Sequence, residues 1–378
     1  MNEELTPEIS EDQDIPAPAP MRNYKNFWTR NAANLALTML GVRTRRAPVM
    51  LLLDGDWICE FTGTPCDAYY SDFDTQQRAR LQAGQAADAE IGLQIEPALD
   101  FGVVLDASIY GGKVMYSDIA PPTIEQAVES PEDIAELARR MDATEPLSLG
   151  LVPKMLEWHA RLKAEYRTSA PAGLTVKGPG SVAGQICGIT EFMTRLTTHP
   201  AEIKDLMALI TRTTIRYIGA LRRATGNKIR YLAMADDLSG MMSESMYREF
   251  VYPAHKAIFR ALAPQPPMRY FHNDSHTEHI LHHLRKLHLG GVNLDAKVTV
   301  LRIRERLPNT VIFGHIPPLE TLRNGTPEDV RRTALANVAH ARAGGGRIVL
   351  TAAGSINPGT PFENLRAVVQ ASRESARC

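Results

Sequence analysis

Short apolar segments that alternate with helical segments most strongly limit how this 378-residue chain can fold. From the third such segment onward, a helical segment separates each candidate strand from the next. Strands that alternate with helices pair in parallel, because the helix returns the chain to the same edge of the sheet. Eight such units predict a TIM (β/α)8 barrel of the α/β class, and the chain length suits that fold. The candidate strands lie near residues 49, 101, 175, 231, 270, 293, 312 and 349.

A doubly wound open sheet is the alternative architecture for the same pattern. No glycine-rich dinucleotide turn follows any candidate strand, which disfavours that alternative. Residues 1–20 contain several acids and no Lys or Arg, and they end in alternating Pro and Ala. Such a segment buries too little apolar surface to offset its ordering entropy, so we predict a disordered tail. Residues 21–378 are predicted to form the barrel, with residues 106–150 as an excursion from its regular pattern.

Composition limits the classes of partner. The chain has 42 Lys and Arg against 43 Asp and Glu, so it offers no basic surface to nucleic acid or to a membrane. Its four cysteines form no CxxC pair, which disfavours a thiolate metal site and suits a reducing cytoplasm. The sequence has neither an apolar run of about 20 residues nor a signal-peptide pattern. We therefore expect a cytoplasmic protein with a small-molecule substrate, and a homodimer is left open.

Polar residues cluster where the predicted strands end, which is where the active site of a barrel forms. The densest cluster lies in residues 269–295, which read RYFHNDSHTEHILHHLRKLHLGGVNLD. This stretch predicts a strand, a polar cluster, a helix ended by Gly290-Gly291, and a second strand followed by an acid. Asp54, Asp236, Asp237 and His272 are the catalytic candidates, and Lys177, Asp295 and His315 are the candidates for substrate binding.

The motif His272-x-Asp274-x-His276 predicts a metal site. If the strand continues through it, the three side chains point to one side. Imidazole and carboxylate together suit zinc, iron or another divalent ion. In the alternative interpretation His272 and Asp274 form a hydrogen-bonded pair and His276 caps the helix. Four further histidines are predicted to be surface and packing residues of the following helix: His279, His282, His283 and His288.

Two adjacent acids follow the strand near residue 231. Neighbouring side chains at a strand end point in opposite directions. Therefore Asp236 or Asp237 is predicted to enter the mouth as a base or ligand, while the other caps the next segment.

Several longer motifs carry a resemblance to a known family. They are Lys177-Gly178-Pro179, Ala235-Asp236-Asp237-Leu238, Gly325-Thr326-Pro327-Glu328-Asp329-Val330, Ala343-Gly344-Gly345-Gly346 and Pro358-Gly359-Thr360-Pro361. Residues 174–378 resemble the uroporphyrinogen decarboxylase superfamily, and the resemblance extends weakly back to about residue 47. It implies a TIM barrel with one of two chemistries. One is cofactor-free decarboxylation of a tetrapyrrole; the other is methyl transfer to or from a corrinoid or thiol, often with zinc.

The chain departs from the motifs of both branches. The decarboxylases carry an Arg-Gln-Ala-Gly-Arg loop after the first strand, whereas this chain reads Asp54-Gly55-Asp56-Trp57-Ile58. The zinc methyltransferases carry His-x-Cys after the strand matched by Tyr270-Phe271 and another cysteine after the last strand. Here Asp274 takes the place of the first cysteine, and Gly354 or Ser355 that of the second. A site of His and Asp ligands, or no metal, is what this pattern implies.

The resemblance favours the methyltransferase branch. The expected reaction moves a methyl group from a small methoxylated or methylated compound to a corrinoid, on a corrinoid protein, or to tetrahydrofolate. Zinc or another divalent metal is the expected cofactor. The alternatives are a carboxy-lyase acting on a carboxylated aromatic or pyrrole, and a non-catalytic barrel subunit.

Overall fold

A six-stranded parallel sheet forms the centre of the protein. The computed structural model describes residues 24–168 and 172–377, so the predicted tail of residues 1–20 lies outside the described residues. The six strands follow one another in chain order, which is the order of a TIM barrel and agrees with the predicted α/β class. Two strands of an antiparallel pair precede them, β1 (Val114–Met115) and β2 (Thr123–Ile124). The parallel strands are β3 (Thr175–Lys177), β4 (Leu232–Ala235), β5 (Arg269–Asn273), β6 (Gly291–Leu294), β7 (Val311–Phe313) and β8 (Ile348–Val349).

The first predicted strand, near residue 49, lies beside the last strand. Val49 forms a single parallel bridge with Leu350. The Met50 amide donates to the Leu350 carbonyl at 3.0 Å, and the Leu350 amide donates to the Pro48 carbonyl at 2.7 Å. The segment near Val49 thus extends the sheet beyond β8, although its pairing is limited to one bridge.

The prediction of a strand near residue 101 was wrong, since the segment before α5 has no regular structure. Its main-chain groups are satisfied by glutamine side chains of the preceding helix. Gln76 donates to the Asp100 carbonyl at 2.6 Å and accepts from the Asp100 amide at 3.1 Å. Gln77 donates to the Ala98 carbonyl at 3.0 Å. Buried main-chain groups need a partner, and here side-chain amides replace the neighbouring strand.

Replacing Gln76 by alanine should therefore destabilise this part of the barrel. The variant removes both hydrogen bonds to Asp100 and leaves its main-chain amide and carbonyl without these partners. We expect the free energy of unfolding to fall by about 1–3 kcal/mol, measured by urea denaturation. The exposed Gln370→Ala, which removes a hydrogen bond to Glu374 within one helix, is the control. An equal, small loss in both variants would show that the segment does not depend on Gln76.

Helices surround the sheet and connect its strands. They are α1 (Tyr24–Met39), α2 (Gly55–Thr62), α3 (Cys66–Ser71), α4 (Phe73–Ile91), α5 (Leu105–Ser108), α6 (Asp133–Ala143), α7 (Val152–Tyr166), α8 (Pro179–Cys187), α9 (Ile189–Thr198), α10 (Pro200–Ala224), α11 (Glu244–Met246), α12 (Tyr252–Leu262), α13 (Leu281–Lys286), α14 (Val300–Arg306), α15 (Pro327–Ala343) and α16 (Phe362–Glu374). Two π-helical turns, Tyr247–Val251 and Pro318–Arg323, add to these.

Helix α1 covers the end of the sheet at which the strands begin. The side-chain amide of Asn31 binds the main chain of Val49. Its Oδ1 accepts the Val49 N–H at 2.7 Å, and its Nδ2 donates to the Val49 carbonyl at 2.8 Å. Leu35 and Met39 pack against a small cluster of buried residues that includes Val311 and Phe313. This end of the barrel is therefore closed by apolar packing.

The predicted excursion contains α5, the β1–β2 pair and α6, and it packs against the helices that follow β3. The amides of Ala127 and Val128 both donate to the Ile186 carbonyl in α8. The guanidinium of Arg195 in α9 donates to the carbonyls of Val128 and Glu129. The segment thus rests on α8 and α9. In the part of the chain that the structure describes, no helix is long and apolar enough to cross a membrane.

Candidate active site

The register of the parallel strands aligns four residues in one row. Lys177 pairs with Ala235, Ala235 with His272, and His272 with Asn293. Residues that are paired across neighbouring parallel strands point to the same side of the sheet, so these side chains share one face. Three acids lie two residues beyond the row, where the strands end: Asp237, Asp274 and Asp295.

Aromatic rings fill the space on the strand-start side of this row. The rings of Tyr270 and Phe313 meet edge to face, with centroids 5.1 Å apart. They crowd Gly291, where an added Cβ would lie 2.8 Å from the Phe313 ring and 3.0 Å from the Tyr270 ring. A residue with a side chain at this position would displace the rings. The polar row thus lies above an apolar floor.

His272 is the centre of the polar group. Its Nδ1 lies 2.8 Å from Oδ1 of Asn293. Its Nε2 lies 3.2 Å from Oδ1 of Asp274 and 3.8 Å from Oδ1 of Asp237. The imidazole therefore has an amide oxygen on one side and two carboxylates on the other.

Asp237 connects this imidazole to Lys177. Its Oδ2 forms an ion pair with Nζ of Lys177 at 3.0 Å. Its Oδ1 accepts the main-chain N–H of Asp274 at 2.9 Å, which fixes the carboxylate beside the second acid. Asp237 is about one-third exposed, so it remains accessible from the mouth.

The charges of this group shift its pKa values in opposite directions. Burial raises the pKa of Asp237, but Lys177 and His272 outweigh it and the pKa is lowered. Burial lowers the pKa of His272, but Asp274 and Asp237 outweigh it and the pKa is raised. The arrangement therefore favours a positive charge at Nε2 of His272, either a proton or a metal ion.

The donor set fits a divalent metal ion. The ligand atoms of Asp237, His272 and Asp274 all lie within 4.8 Å of one another. Two carboxylates and one imidazole leave room for a fourth ligand, as in a catalytic zinc site. The second nitrogen of His272 is already hydrogen-bonded, which is the usual second contact of a ligating histidine. The predicted ligand His276 is not in this group; it is half exposed, with Nδ1 4.0 Å from Oδ1 of Asp295.

A second cluster, Glu244, His282 and His283, has comparable spacing but fits a metal less well. Nε2 of His283 lies 2.6 Å from Oε1 of Glu244. Within residues 24–168 and 172–377, the buried Nδ1 of His283 has no hydrogen-bond partner. A metal on Nε2 would force a proton onto Nδ1, where that buried donor would stay unsatisfied. The contacts of His283 instead favour a proton on Nε2, donated to Glu244.

A second acidic group surrounds Asp54. Oδ2 of Asp100 lies 3.4 Å from the Tyr69 hydroxyl. An added Cβ at Gly55 would lie 2.5 Å from this Asp100 oxygen, so the glycine permits their close approach. Asp54 itself is accessible to solvent. Desolvation by the surrounding protein, together with the smaller effect of the negative charges of Asp100 and Asp56, nevertheless raises the pKa of Asp54 to about 7. Asp54 is therefore partly protonated at neutral pH.

This shift predicts a pH-dependent effect of Asp54→Asn on stability. The ordinary pKa of the carboxyl is 3.8 and its pKa in the folded protein is about 7, so between these values the folded state binds more protons than the unfolded state. Wild-type stability should fall as the pH rises through this range. The variant should therefore gain stability relative to wild type above pH 7, and the gain should vanish below about pH 4.

Urea denaturation at several pH values measures this difference. Asp67→Asn, at an exposed position of α3, has the same change in charge and serves as the control. A difference between Asp54→Asn and wild type that does not vary with pH would contradict the assignment.

A comparison with known proteins identifies the family. The family model described as uroporphyrinogen decarboxylase (URO-D) matches residues 98–375. The chain belongs to the uroporphyrinogen decarboxylase family. Among its relatives, a methylated-thiol–coenzyme M methyltransferase of Methanosarcina mazei is 29% identical over 306 residues, covering 80% of this chain and 78% of that protein. A methylcobamide:CoM methyltransferase of Methanosarcina acetivorans is 22% identical over 316 residues, covering 81% and 87%.

A solved structure supports the same fold. A methyltransferase from Methanosarcina mazei superimposes with a TM-score of 0.71 at 18% sequence identity. The match covers 91% of this chain and 98% of that chain. The similarity therefore extends over most of the chain, which shares the fold of that methyltransferase.

Besides His276, three of the predicted site residues lie apart from the His272 group. Asp236 is fully buried and accepts hydrogen bonds from two main-chain amides of α8, the Ser181 hydroxyl and His255. His315 is buried, and its Nε2 donates to the Val298 carbonyl. Asp295 is buried; its Oδ1 accepts the Lys297 amide, and its Oδ2 has no hydrogen-bond partner among the residues that the structure describes. We therefore leave Asp236 out of the catalytic group.

Two residues that adjoin the site were not predicted as site residues from the sequence, although the resemblance had placed Gly354 or Ser355 where the second cysteine of the zinc methyltransferases stands. Asn293 contacts His272, and Gly354 adjoins Asp274, since a Cβ added at Gly354 would lie 2.6 Å from Oδ1 of that acid. A polar side chain between Val292 and Leu294, in the middle of an apolar strand, was the available signal for Asn293.

Proposed function

We propose that this protein is a corrinoid-dependent methyltransferase. It moves a methyl group between a small methylated or methoxylated compound and a corrinoid, with folate as an alternative acceptor. The contact of His272 with two carboxylates at the carboxyl ends of the strands is the observation that carries the proposal. The reaction class is supported by the names of the relatives, which are methyltransferases that match four-fifths of this chain.

Three residues of the chain would hold a divalent metal: His272, Asp274 and Asp237. Zinc is one candidate, and a harder metal is another, because carboxylates replace the softer thiolates. Such a metal lowers the pKa of a thiol or water that it binds. Two carboxylates balance its double charge, and Lys177 leaves one positive charge in excess. A thiolate or another singly charged anion would complete the balance, which favours a substrate of that kind.

In the transfer, a nucleophile attacks the methyl carbon as its bond to sulfur or oxygen breaks. The leaving heteroatom keeps the electron pair and acquires negative charge. Positive charge at Nε2 of His272, together with Lys177, stabilises that charge where it develops. Asp237 keeps the lysine in place through their ion pair at 3.0 Å. In the reverse direction the same groups favour the thiolate over the thiol.

A methyl-transfer assay with purified protein tests the proposal. Methylcobalamin and a small thiol are incubated with the protein, and loss of the methylcobalamin absorbance is followed together with formation of the methyl thioether. The thiolate takes the methyl carbon, and the electron pair of the cobalt–carbon bond stays on cobalt. We expect turnover that requires protein. Absence of transfer from methylcobalamin and from methyltetrahydrofolate to a panel of thiols would reject the proposal.

The second candidate is loss of CO2 from a carboxylated aromatic or pyrrole. It is favoured by Asp54, whose pKa of about 7 keeps a carboxylic acid available to donate a proton at neutral pH. Release of labelled CO2 from such a substrate, without methyl transfer, would favour this reaction over the first.

A further inference from the structure

We propose that Asn293 is a positioning residue, whose amide holds His272 with a proton on Nδ1 and with Nε2 directed at the carboxylates. The inference rests on the proposed function in one respect: it concerns the same site. Asn293 is 2% exposed, in the centre of β6. Its Oδ1 lies 2.8 Å from Nδ1 of His272 and accepts the Gly354 amide at 3.0 Å. Its Nδ2 donates to the Phe313 carbonyl at 2.8 Å and to the Ala352 carbonyl at 2.9 Å.

These four contacts fix the orientation of the amide. A side-chain amide has two N–H donors and one oxygen with two lone pairs, and every one of them is used here. Flipping Asn293 would turn its oxygen toward two carbonyls and its N–H groups toward the N–H of Gly354. Only the observed orientation avoids these repulsions. The oxygen of Asn293 therefore faces His272.

The fixed oxygen determines which nitrogen of His272 carries a proton. An amide oxygen can only accept, so Nδ1 must donate. Nε2 then faces Oδ1 of Asp274 and Oδ1 of Asp237, at 3.2 and 3.8 Å. It can hold a second proton or bind a metal ion, and each suits the two carboxylates. Without Asn293, His272 could instead donate from Nε2 to Asp274 and leave Nδ1 bare.

The same oxygen also positions the wall behind Asp274. By accepting the Gly354 amide, it holds the loop after β8 against β6. Gly354 has a φ of +102° and its α-carbon faces Asp274, since a Cβ added there would lie 2.6 Å from Oδ1 of that acid. A single side chain thus sets the imidazole directly and limits the space of the neighbouring carboxylate.

Asn293→Leu is the test, because leucine has nearly the size of asparagine and neither donates nor accepts. Asn364→Leu is the matched control. Asn364 is another buried asparagine whose Nδ2 donates to two main-chain carbonyls, those of Leu322 and Gly325, away from the site. Both variants lose two such hydrogen bonds, so a general loss of stability appears in both. Asn293→Ala replaces the leucine variant if the latter does not fold.

The first readout is the Nδ1 proton of His272, observed by NMR in the metal-free protein with 15N-labelled histidine. His272→Gln identifies the signal. We expect a slowly exchanging Nδ1 proton in wild type and in Asn364→Leu, and its loss in Asn293→Leu. Asn293→Asp keeps an acceptor and should retain it. The proposal is overturned if wild type lacks this proton or if Asn293→Leu keeps it.

The second readout is zinc affinity, measured by competition with a chromophoric chelator. Removing the partner of a ligating histidine typically weakens metal binding by roughly 10- to 100-fold, so Asn293→Leu should differ from Asn364→Leu by that factor. Equal zinc affinities in these two variants would also overturn the proposal. If wild type transfers no methyl group, the proposed function fails, whereas the NMR comparison still decides the role of Asn293.

Discussion

Replacing His272 by alanine should lower methyl transfer by about 10²- to 10⁴-fold. The imidazole is the group in contact with both Asp274 and Asp237, and its Nε2 is the position at which positive charge is favoured. Without it, two carboxylates remain beside Lys177 with no cation between them. The rate of methylcobalamin consumption by a thiol measures the loss.

His276→Ala is the control for this experiment. Both residues belong to the motif that predicted the metal site, but His276 is half exposed and lies near Asp295. Its variant should retain activity close to that of wild type and should bind zinc as tightly. If His276→Ala loses as much activity and zinc as His272→Ala, the ligand group is assigned wrongly.

Replacing Asp236 by alanine should cause the largest loss of stability, about 3–5 kcal/mol, because it breaks a fully buried pair. Its Oδ2 lies 2.7 Å from Nε2 of His255, and both side chains are completely buried. Its oxygens also accept the Gly180 amide at 3.0 Å and the Ser181 amide at 2.7 Å, at the start of α8. Alanine would leave these donors buried without an acceptor. Urea denaturation followed by circular dichroism measures the effect.

Asp237→Ala, one residue further, separates stability from activity. Asp237 is one-third exposed, whereas Asp236 is completely buried, so this variant should lose less stability than Asp236→Ala. It should lose methyl transfer, since Asp237 adjoins His272. Asp236→Asn, which preserves the size of the side chain, is available if the alanine variant does not fold. If Asp236→Ala proved as stable as Asp237→Ala, the structural role of Asp236 would be refuted.

The strand pattern predicted the sheet well, because local sequence determines burial and periodicity. The six strands from residue 175 onward lie where the apolar segments predicted them. Alternation also predicted that Asp236 and Asp237 point in opposite directions. What the spacing of two acids could not determine is which one faces the mouth, since that depends on where α8 begins.

Other features depend on contacts between distant parts of the chain. The segment near residue 101 looked like a strand, yet Gln76, 24 positions earlier, satisfies its main chain. Asn293 binds Gly354, 61 positions later. The helix after His276 was predicted to end in a left-handed glycine, but His288 has the positive φ, of 52°. Gly290 is required for another reason: an added Cβ would collide with the Pro267 carbonyl.

The closed lower end of the barrel has a kinetic consequence. Leu35 and Met39 of α1, together with the rings of Tyr270 and Phe313, obstruct passage from the side where the strands start. In the proposed reaction, the methyl donor and the methyl acceptor must then both enter through the end of the barrel at which the strands end. A bulky corrinoid arriving there would trap whatever small molecule already lay beneath it. The small molecule should therefore enter first and leave last, and steady-state inhibition patterns should be those of an ordered mechanism.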